Sequence, residues 1–297
     1  MARVYYVDVA VPADKKRRGR EKIHAVFDGE RVFRVKKLTE LEDAGEIYID
    51  ALFPELYDEI LELLRRGVKV YLLKNTTKLK KLRIENNLKK SDENDAMLLT
   101  RIPKEAFKLL TIEELELKMR MRPLIKEYEK ITCWRRKLMT LIKNGFDYNF
   151  KESVRLMDAA RMRISGKIIS QITTLPIYGE VYKRSCGILN IKNSAELAIL
   201  VIELPLHLPL VRLKGMLGLV PSRNKGRYNH RLRRHIARLA TSLYKNVKKN
   251  IKFSDEIVEV SNHLPKKQAI FRLELIILKA LRMAYLMTMK PLADESS

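Results

Sequence analysis

Cysteine is almost absent from the chain: Cys133 and Cys186 are the only two in 297 residues. They stand far apart and match no metal-ligand spacing, so a disulfide framework is excluded and a reducing compartment is expected. Long apolar runs are missing as well. The most apolar stretch, Leu197 to Leu213, is interrupted by Glu203, Pro205, His207 and Pro209 and is too broken to span a bilayer. The opening segment MARVYYVDVAV carries an acid at its centre and reads as neither a signal nor a transit peptide. A soluble cytoplasmic protein without membrane association is expected. No repeat or low-complexity segment is present. Acidic residues are scarce beside basic ones, 36 Asp and Glu against 60 Lys and Arg, for a net charge of +24. So large an excess repels itself in a compact chain unless a polyanion offsets it. Nucleic acid is the first expected partner, and an anionic membrane surface the second.

The first hundred residues alternate between strand and helix patterns. Arg3–Val9, Lys22–Asp28, Arg31–Lys36 and Glu46–Asp50 read as strands, with Asp28-Gly29 as a hairpin turn between the second and third. Pro54–Arg66 has helical spacing through Leu56, Ile60, Leu63 and Leu64, and Gly67 stops it. Val68–Leu73 is a fifth strand, and a helical stretch holding Asp92 and Asp95 follows. Antiparallel strands followed by a βαβ crossover make an α/β domain with a mixed sheet, in the strand order of the ribonuclease H-like superfamily. From about Thr111 to Ile169 the pattern turns helical and charged, which predicts a helical hairpin or coiled-coil arm, or an ordinary bundle, kinked or divided at Pro123. From about Gln171 the chain stays mainly helical. The expected organisation is 1–110, 111–170 and 171–297, with a frayed C-terminal tail.

Four aspartates fall where such a fold would bring them together. Asp8 lies near the end of the first strand between Val7 and Val9, and Asp50 ends the fourth. Asp92 and Asp95 are three apart and share one helical face. Carboxylates that converge repel one another unless a cation lies between them. Two Mg²⁺ or Mn²⁺ ions suit hard oxygen ligands and would activate water or a hydroxyl against a phosphodiester. Each residue alone has a simpler reading: Asp8 can face outward, and Asp92 can be a helix N-cap with Asp95 in the first turn. Glu55, Asp58 and Glu59 compete with Asp50 for the fourth position.

Between Arg212 and Lys252 there are thirteen Lys or Arg and no acid. Solvated faces usually mix both signs, so the run points to a polyanion surface formed by Arg223, Lys225, Arg227, Arg231, Arg233 and Arg234. A second cluster, Lys15, Lys16, Arg17, Arg18 and Arg20, follows Asp8 and would sit at the mouth of the acidic site. Ser222 lies beside Arg223, where cations can activate a serine as a nucleophile, although a loop serine or helix cap fits the position too.

These residues resemble motifs of the insertion-sequence 110 family of DEDD transposases, grouped with the 116 and 902 types. Lys90-Ser91-Asp92-Glu93-Asn94-Asp95-Ala96 is similar to the family's K-T/S-D-x-x-D-A, and Tyr6-Val7-Asp8-Val9 to its opening G-I/V-D-V. Glu46 to Tyr57 stands where the family has E-x-T-G-x-Y, with Asp50 in place of the glutamate and no Thr-Gly pair. Gly218-Leu219-Val220-Pro221 is similar to G-L-x-P, and Asn229-His230-Arg231-Leu232-Arg233 to G-N-x-x-L-R with Tyr228 in place of the glycine. A weak P-G-I/V-G match survives at Leu175–Gly179. The family's nucleophilic serine is in a Ser-Gly pair, where this chain has Lys225-Gly226. The resemblance implies a RuvC-like domain, a helical arm and a transposase domain. It also implies Mg²⁺ at Asp8, Asp50, Asp92 and Asp95, double-stranded element-end and target DNA, a guide RNA, and a dimer or tetramer associated with the nucleoid. Two alternatives stay open: a metal-dependent nuclease without a serine step, and a decayed member that only binds nucleic acid.

Overall fold

The computed structural model describes residues 2–10, 23–146, 149–220 and 228–294. They fall into two compact units, Met1–Arg120 and Met121–Ser297. The first unit is a mixed sheet with three helices and the start of a fourth. Its elements are β1 (Arg3–Asp8), β2 (His24–Phe27), β3 (Val32–Val35), β4 (Ala44–Ile49), α1 (Tyr57–Arg65), β5 (Lys69–Leu73), α2 (Thr77–Glu85), α3 (Asp92–Leu99) and β6 (Phe107–Leu109). The sheet order is β3-β2-β1-β4-β5-β6. Strands β1, β4 and β5 run parallel, while β2, β3 and β6 pair antiparallel with their neighbours. The β2–β3 hairpin turns where expected, because the Asp28 carboxylate accepts from the Glu30 and Arg31 amides at 3.0 and 2.8 Å. Strand β6, three residues long, carries no periodicity that a sequence reading can detect.

Alternation along the strands gives the sheet two unlike faces. Val7, Ile47, Ile49 and Val70 pack with Ile60, Leu61 and Leu63 of α1. On the opposite face Tyr6, Tyr48 and Tyr71 pack with Leu79 of α2 and Leu98 and Leu99 of α3. The three rings form a ladder across the parallel strands, with centroids 5.1 and 4.7 Å apart. Offset stacking of this kind adds about 0.5–1.5 kcal/mol per pair beyond burial. The Tyr48 hydroxyl, pushed up to about 12 by burial and by Glu46, donates to that carboxylate at 2.8 Å.

Helix α4 (Ile112–Lys143) begins in the first unit and continues into the second without interruption. Pro123, expected to kink or divide it, lies inside the helix. Met121 and Ile125 on either side of it are buried, and their packing offsets the amide bond that the proline lacks. The boundary between units thus falls within α4, about ten residues beyond the expected domain edge.

The second unit is helical among its described residues. It adds α5 (Phe150–Thr173), α6 (Pro176–Leu189), α7 (Ala195–Glu203), α8 (Leu210–Met216), α9 (His230–Val247), α10 (Asp255–His263) and α11 (Lys266–Asp294). α11 packs against α6, α8, α9 and α10. α7 is buried on all sides from Ala195 to Ile202, which explains its unbroken apolar sequence. Among the described residues no helix is long and apolar enough to cross a membrane.

Helices α5 and α6 meet closely at Gly179, where a Cβ would stand 2.9 Å from the Ile172 carbonyl oxygen and 3.0 Å from that of Thr173. Gly187, on the same helix, has nothing within 4 Å of that position. Gly179→Ala should therefore lower the thermal midpoint, by about 1–3 kcal/mol of stability. Gly187→Ala should raise it by up to about 1 kcal/mol through helix propensity. Equal effects in thermal denaturation would contradict the close approach.

Candidate functional site

Asp8 closes β1, and Asp50 immediately follows β4. The register sets Tyr6 level with Tyr48 and Val7 level with Ile49, so the next pair, Asp8 and Asp50, comes level too. Alternation turns both onto the tyrosine face. Asp50 is fastened there: its amide donates to the Val7 carbonyl at 3.3 Å, and its carboxylate accepts from the Val9 amide at 2.9 Å. Helix α3 lies across β1 and β2 on this face. Ser91 is its N-cap, accepting from the Asn94 amide at 3.1 Å. Asp92 therefore does not cap the helix. It occupies the first turn exposed, with the buried Asp95 three residues on.

Asp8, Asp50 and Asp95 respond to their crowding. Burial pushes the Asp8 carboxyl up first, then Asp50, Asp92 and Asp95 push it further, to about 8. Asp50 is also raised by burial, partly offset by the Val9 amide and by a hydrogen bond from Asp8. Asp95 is raised by burial against the opposing pull of Arg83 and Lys90. The competing acids lie elsewhere. α1 covers the opposite face of the sheet, and its Glu59 accepts from the Leu38 amide at 2.8 Å, a structural contact.

The set suits a hard divalent cation in kind and charge: all donors are carboxylate oxygens, and Asp95 Oδ1 is buried without a hydrogen-bond partner. Among the described residues, no three acids, histidines or cysteines already stand together as a complete ion-binding group. The side chains would have to close around an ion. Sequence reasoning missed the cations that face this cluster. Arg83 of α2 pairs with Asp95 at 3.3 Å, and Arg34 of β3 pairs with Glu93. Nothing in the segment TKLKKLRIE marks which of its cations turns inward.

Of the expected nucleic-acid contacts, Lys15, Lys16, Arg17, Arg18, Arg20, Arg223, Lys225 and Arg227 lie outside the described residues, as does Ser222. The flanks of residues 221–227 are fixed. Gly218 ends α8 with φ +64°, and the Tyr228 ring lies 2.8 Å from where its Cβ would be. The Asn229 amide donates to the Met216 carbonyl at 2.8 Å. Arg234 is exposed. Arg231 and Arg233 were expected at a polyanion surface, but the structure gives both internal partners. Arg231 meets Glu129 at 2.7 Å and both oxygens of Glu203 at 3.2 Å. Arg233 meets the buried Glu274 at 2.7 Å, whose carboxyl burial still pushes up to about 7.

Beside them His235 is fully buried, its Nε2 2.7 Å from Glu129 and its Nδ1 bonded to Glu196 of α7. Burial alone would lower this imidazole, but the two carboxylates outweigh it and the net shift is upward. Tyr128 completes the network by donating to Glu196 at 3.1 Å. No protein-family model and no curated protein matches this chain.

The Asp8 carboxyl keeps its proton to higher pH when folded, so its contribution to stability is whole below the ordinary value of 3.8 and is lost as pH rises toward about 8. The metal-free protein should accordingly lose thermal stability across that window in EDTA. Asp8→Asn should flatten the loss and raise the midpoint at pH 8.5 by roughly 2–4 °C, equivalent to about 1 kcal/mol. A variant with the wild-type pH slope would refute the charge crowding. His235→Leu should cost roughly 3–5 kcal/mol, because it leaves the buried Glu196 with only the Tyr128 hydroxyl and Arg238 and the half-buried Glu129 with only Arg231. The wild-type contribution is whole below pH 6.5 and fades as pH rises through the raised imidazole value. Denaturant titrations on both sides of that range test it, and a stable variant would show the network to be dispensable.

Proposed function

We propose that this chain is a metal-dependent enzyme acting on DNA phosphodiesters, of the transposase kind. The observation that carries the reading is the placement of Asp8 and Asp50 at the ends of adjacent parallel strands, with Asp92 and Asp95 of α3 on the same face. The order β3-β2-β1-β4-β5 with its antiparallel hairpin is in keeping with a ribonuclease H-like domain. The net charge of +24 supplies attraction for a polyanionic substrate.

Asp8, Asp50, Asp92 and Asp95 would hold Mg²⁺ or Mn²⁺. Such an ion supplies Lewis-acid activation of the attacking oxygen and stabilises the leaving one. The chain's own part is positional. The Val9 amide and the β1–β4 register orient Asp50, the Ser91 cap fixes the first turn of α3, and the sheet beneath excludes water from one side. Lys15 to Arg20, the basic segment from Arg223 to Arg227, and Arg234 would grip the DNA. Element-end and target DNA are the proposed substrates, with a guide RNA and a homo-oligomer as proposed partners. Ser222 is the proposed nucleophile if a covalent step occurs.

A second reading, nucleic-acid binding without cleavage, is favoured by one observation: the acids are not already closed to a complete ion-binding group among the described residues. The two separate cleanly. Purified protein with Mg²⁺ or Mn²⁺ and duplex DNA from the flanks of its own gene is expected to nick or recombine it. Asp92→Asn and Asp95→Asn should each lower the rate by at least about 10²-fold, as loss of a transition-state-stabilising group does, while leaving salt-sensitive binding intact. Full activity in either variant, or binding without cleavage in every metal, would sink the enzymatic reading. A covalent protein–DNA adduct mapped to Ser222 would assign the serine step, and activity without any adduct would assign a metal nuclease.

A further inference from the structure

Asp95 is the most buried of the four carboxylates, and Arg83 stands directly beside it. The Arg83 Nε lies 3.3 Å from Asp95 Oδ1, with the two side chains only 16% and 9% exposed. Both atoms are buried, yet neither makes a hydrogen bond. The pair meets at ion-pair distance without the alignment that an arginine and a carboxylate ordinarily adopt, in which two parallel N–H groups donate. Arg83 thus supplies charge to Asp95 but little directional bonding.

The surroundings explain why charge is what matters here. Asp95 faces Lys90 from the turn before α3 and Asp92 from its own helix, and Asp8 and Asp50 respond to it from the strand ends. Four acids share a region into which α2 sends one guanidinium, and that guanidinium reaches one acid. Arg83 and Lys90 act on Asp95 at one edge, and Asp8 and Asp50 are left to offset their own crowding with a hydrogen bond between them.

We propose that Arg83 is a stand-in cation. It neutralises Asp95 while the acidic cluster is metal-free, and a divalent ion must displace it to engage Asp95. The inference rests on the metal-site reading above and adds the residue that sets how readily the site loads. Arg83 is here a competitor for Asp95 and not a support for it. An ordinary supporting residue would do the opposite: it would hold Asp95 in a ligating pose, and its loss would weaken metal binding.

Calorimetric titration of the full chain with Mn²⁺, without nucleic acid and at fixed pH and ionic strength, distinguishes these roles. Arg83→Gln is expected to bind Mn²⁺ about tenfold more tightly than wild type, the order expected for removing a like charge a few ångströms away at an intermediate dielectric. Arg83→Lys should stay near wild type, and Asp95→Asn should bind more weakly. Arg83→Met keeps the aliphatic stem and should behave as Arg83→Gln does, which covers the case in which one substitution disrupts folding. Thermal denaturation gives a second reading independent of activity. In EDTA the uncharged variants should melt below wild type, and Mn²⁺ should recover more of their midpoint than it adds to wild type. If wild type binds Mn²⁺ and the uncharged variants bind it equally or more weakly, the competition is overturned and the metal site stands. If neither wild type nor variants bind Mn²⁺, the metal-site reading falls and this inference falls with it.

Discussion

In a parallel pair of strands the register decides which side chains share a face, and here the pairing of Tyr6 with Tyr48 decides it for the whole first unit. The stacked tyrosines lock that register from within, since a slip of one residue would set rings against β-branched side chains on the wrong side. The same slip would turn Asp8 and Asp50 toward the apolar layer beneath α1. The aromatic ladder and the acidic cluster are two readings of one alignment. A carboxylate at the end of each strand is affordable because the strands stop there, so water and the first turn of α3 take the place of further core.

The sequence made much of this legible. Alternation and the Asp28-Gly29 turn marked β1 to β5 to within a residue or two. The three-residue spacing of Asp92 and Asp95 placed them on one helical face without reference to anything distant. Asp50 was harder, because Glu55, Asp58 and Glu59 stand nearby in sequence. Only the packing of α1 and of the turn before it, through Leu56, on the opposite face separates them from it, and packing is not written in local pattern. Arg83 was invisible for the same reason: its neighbours in α2 are equally basic, and only the fold selects one. Pro123 does not divide α4, which runs through it with the buried Met121 and Ile125 on either side.

The acid-free stretch from Arg212 to Lys252 shows the limit of reading charge along a chain. Locally it has no counter-ions, yet Arg231 and Arg233 find theirs in Glu129, Glu203 and Glu274, which come from α4, α7 and α11. Part of the positive excess is therefore spent internally on joining helices. A basic run of this kind is a surface only where the fold leaves it one, as it does at Arg234. The arginine-rich start of α9 is in this sense a fastening as much as a face.

Helix α7 shows what such fastening implies for the growing chain. It is apolar on every side and carries one buried carboxylate, Glu196, whose histidine partner arrives 39 residues later in α9. A nascent chain that has delivered α7 but not α9 holds a helix whose leucines have no complete dry surface to pack on and whose acid cannot be buried with its histidine. Lasting order in that helix must wait for His235 to emerge, so the second unit is expected to assemble late and all at once rather than helix by helix.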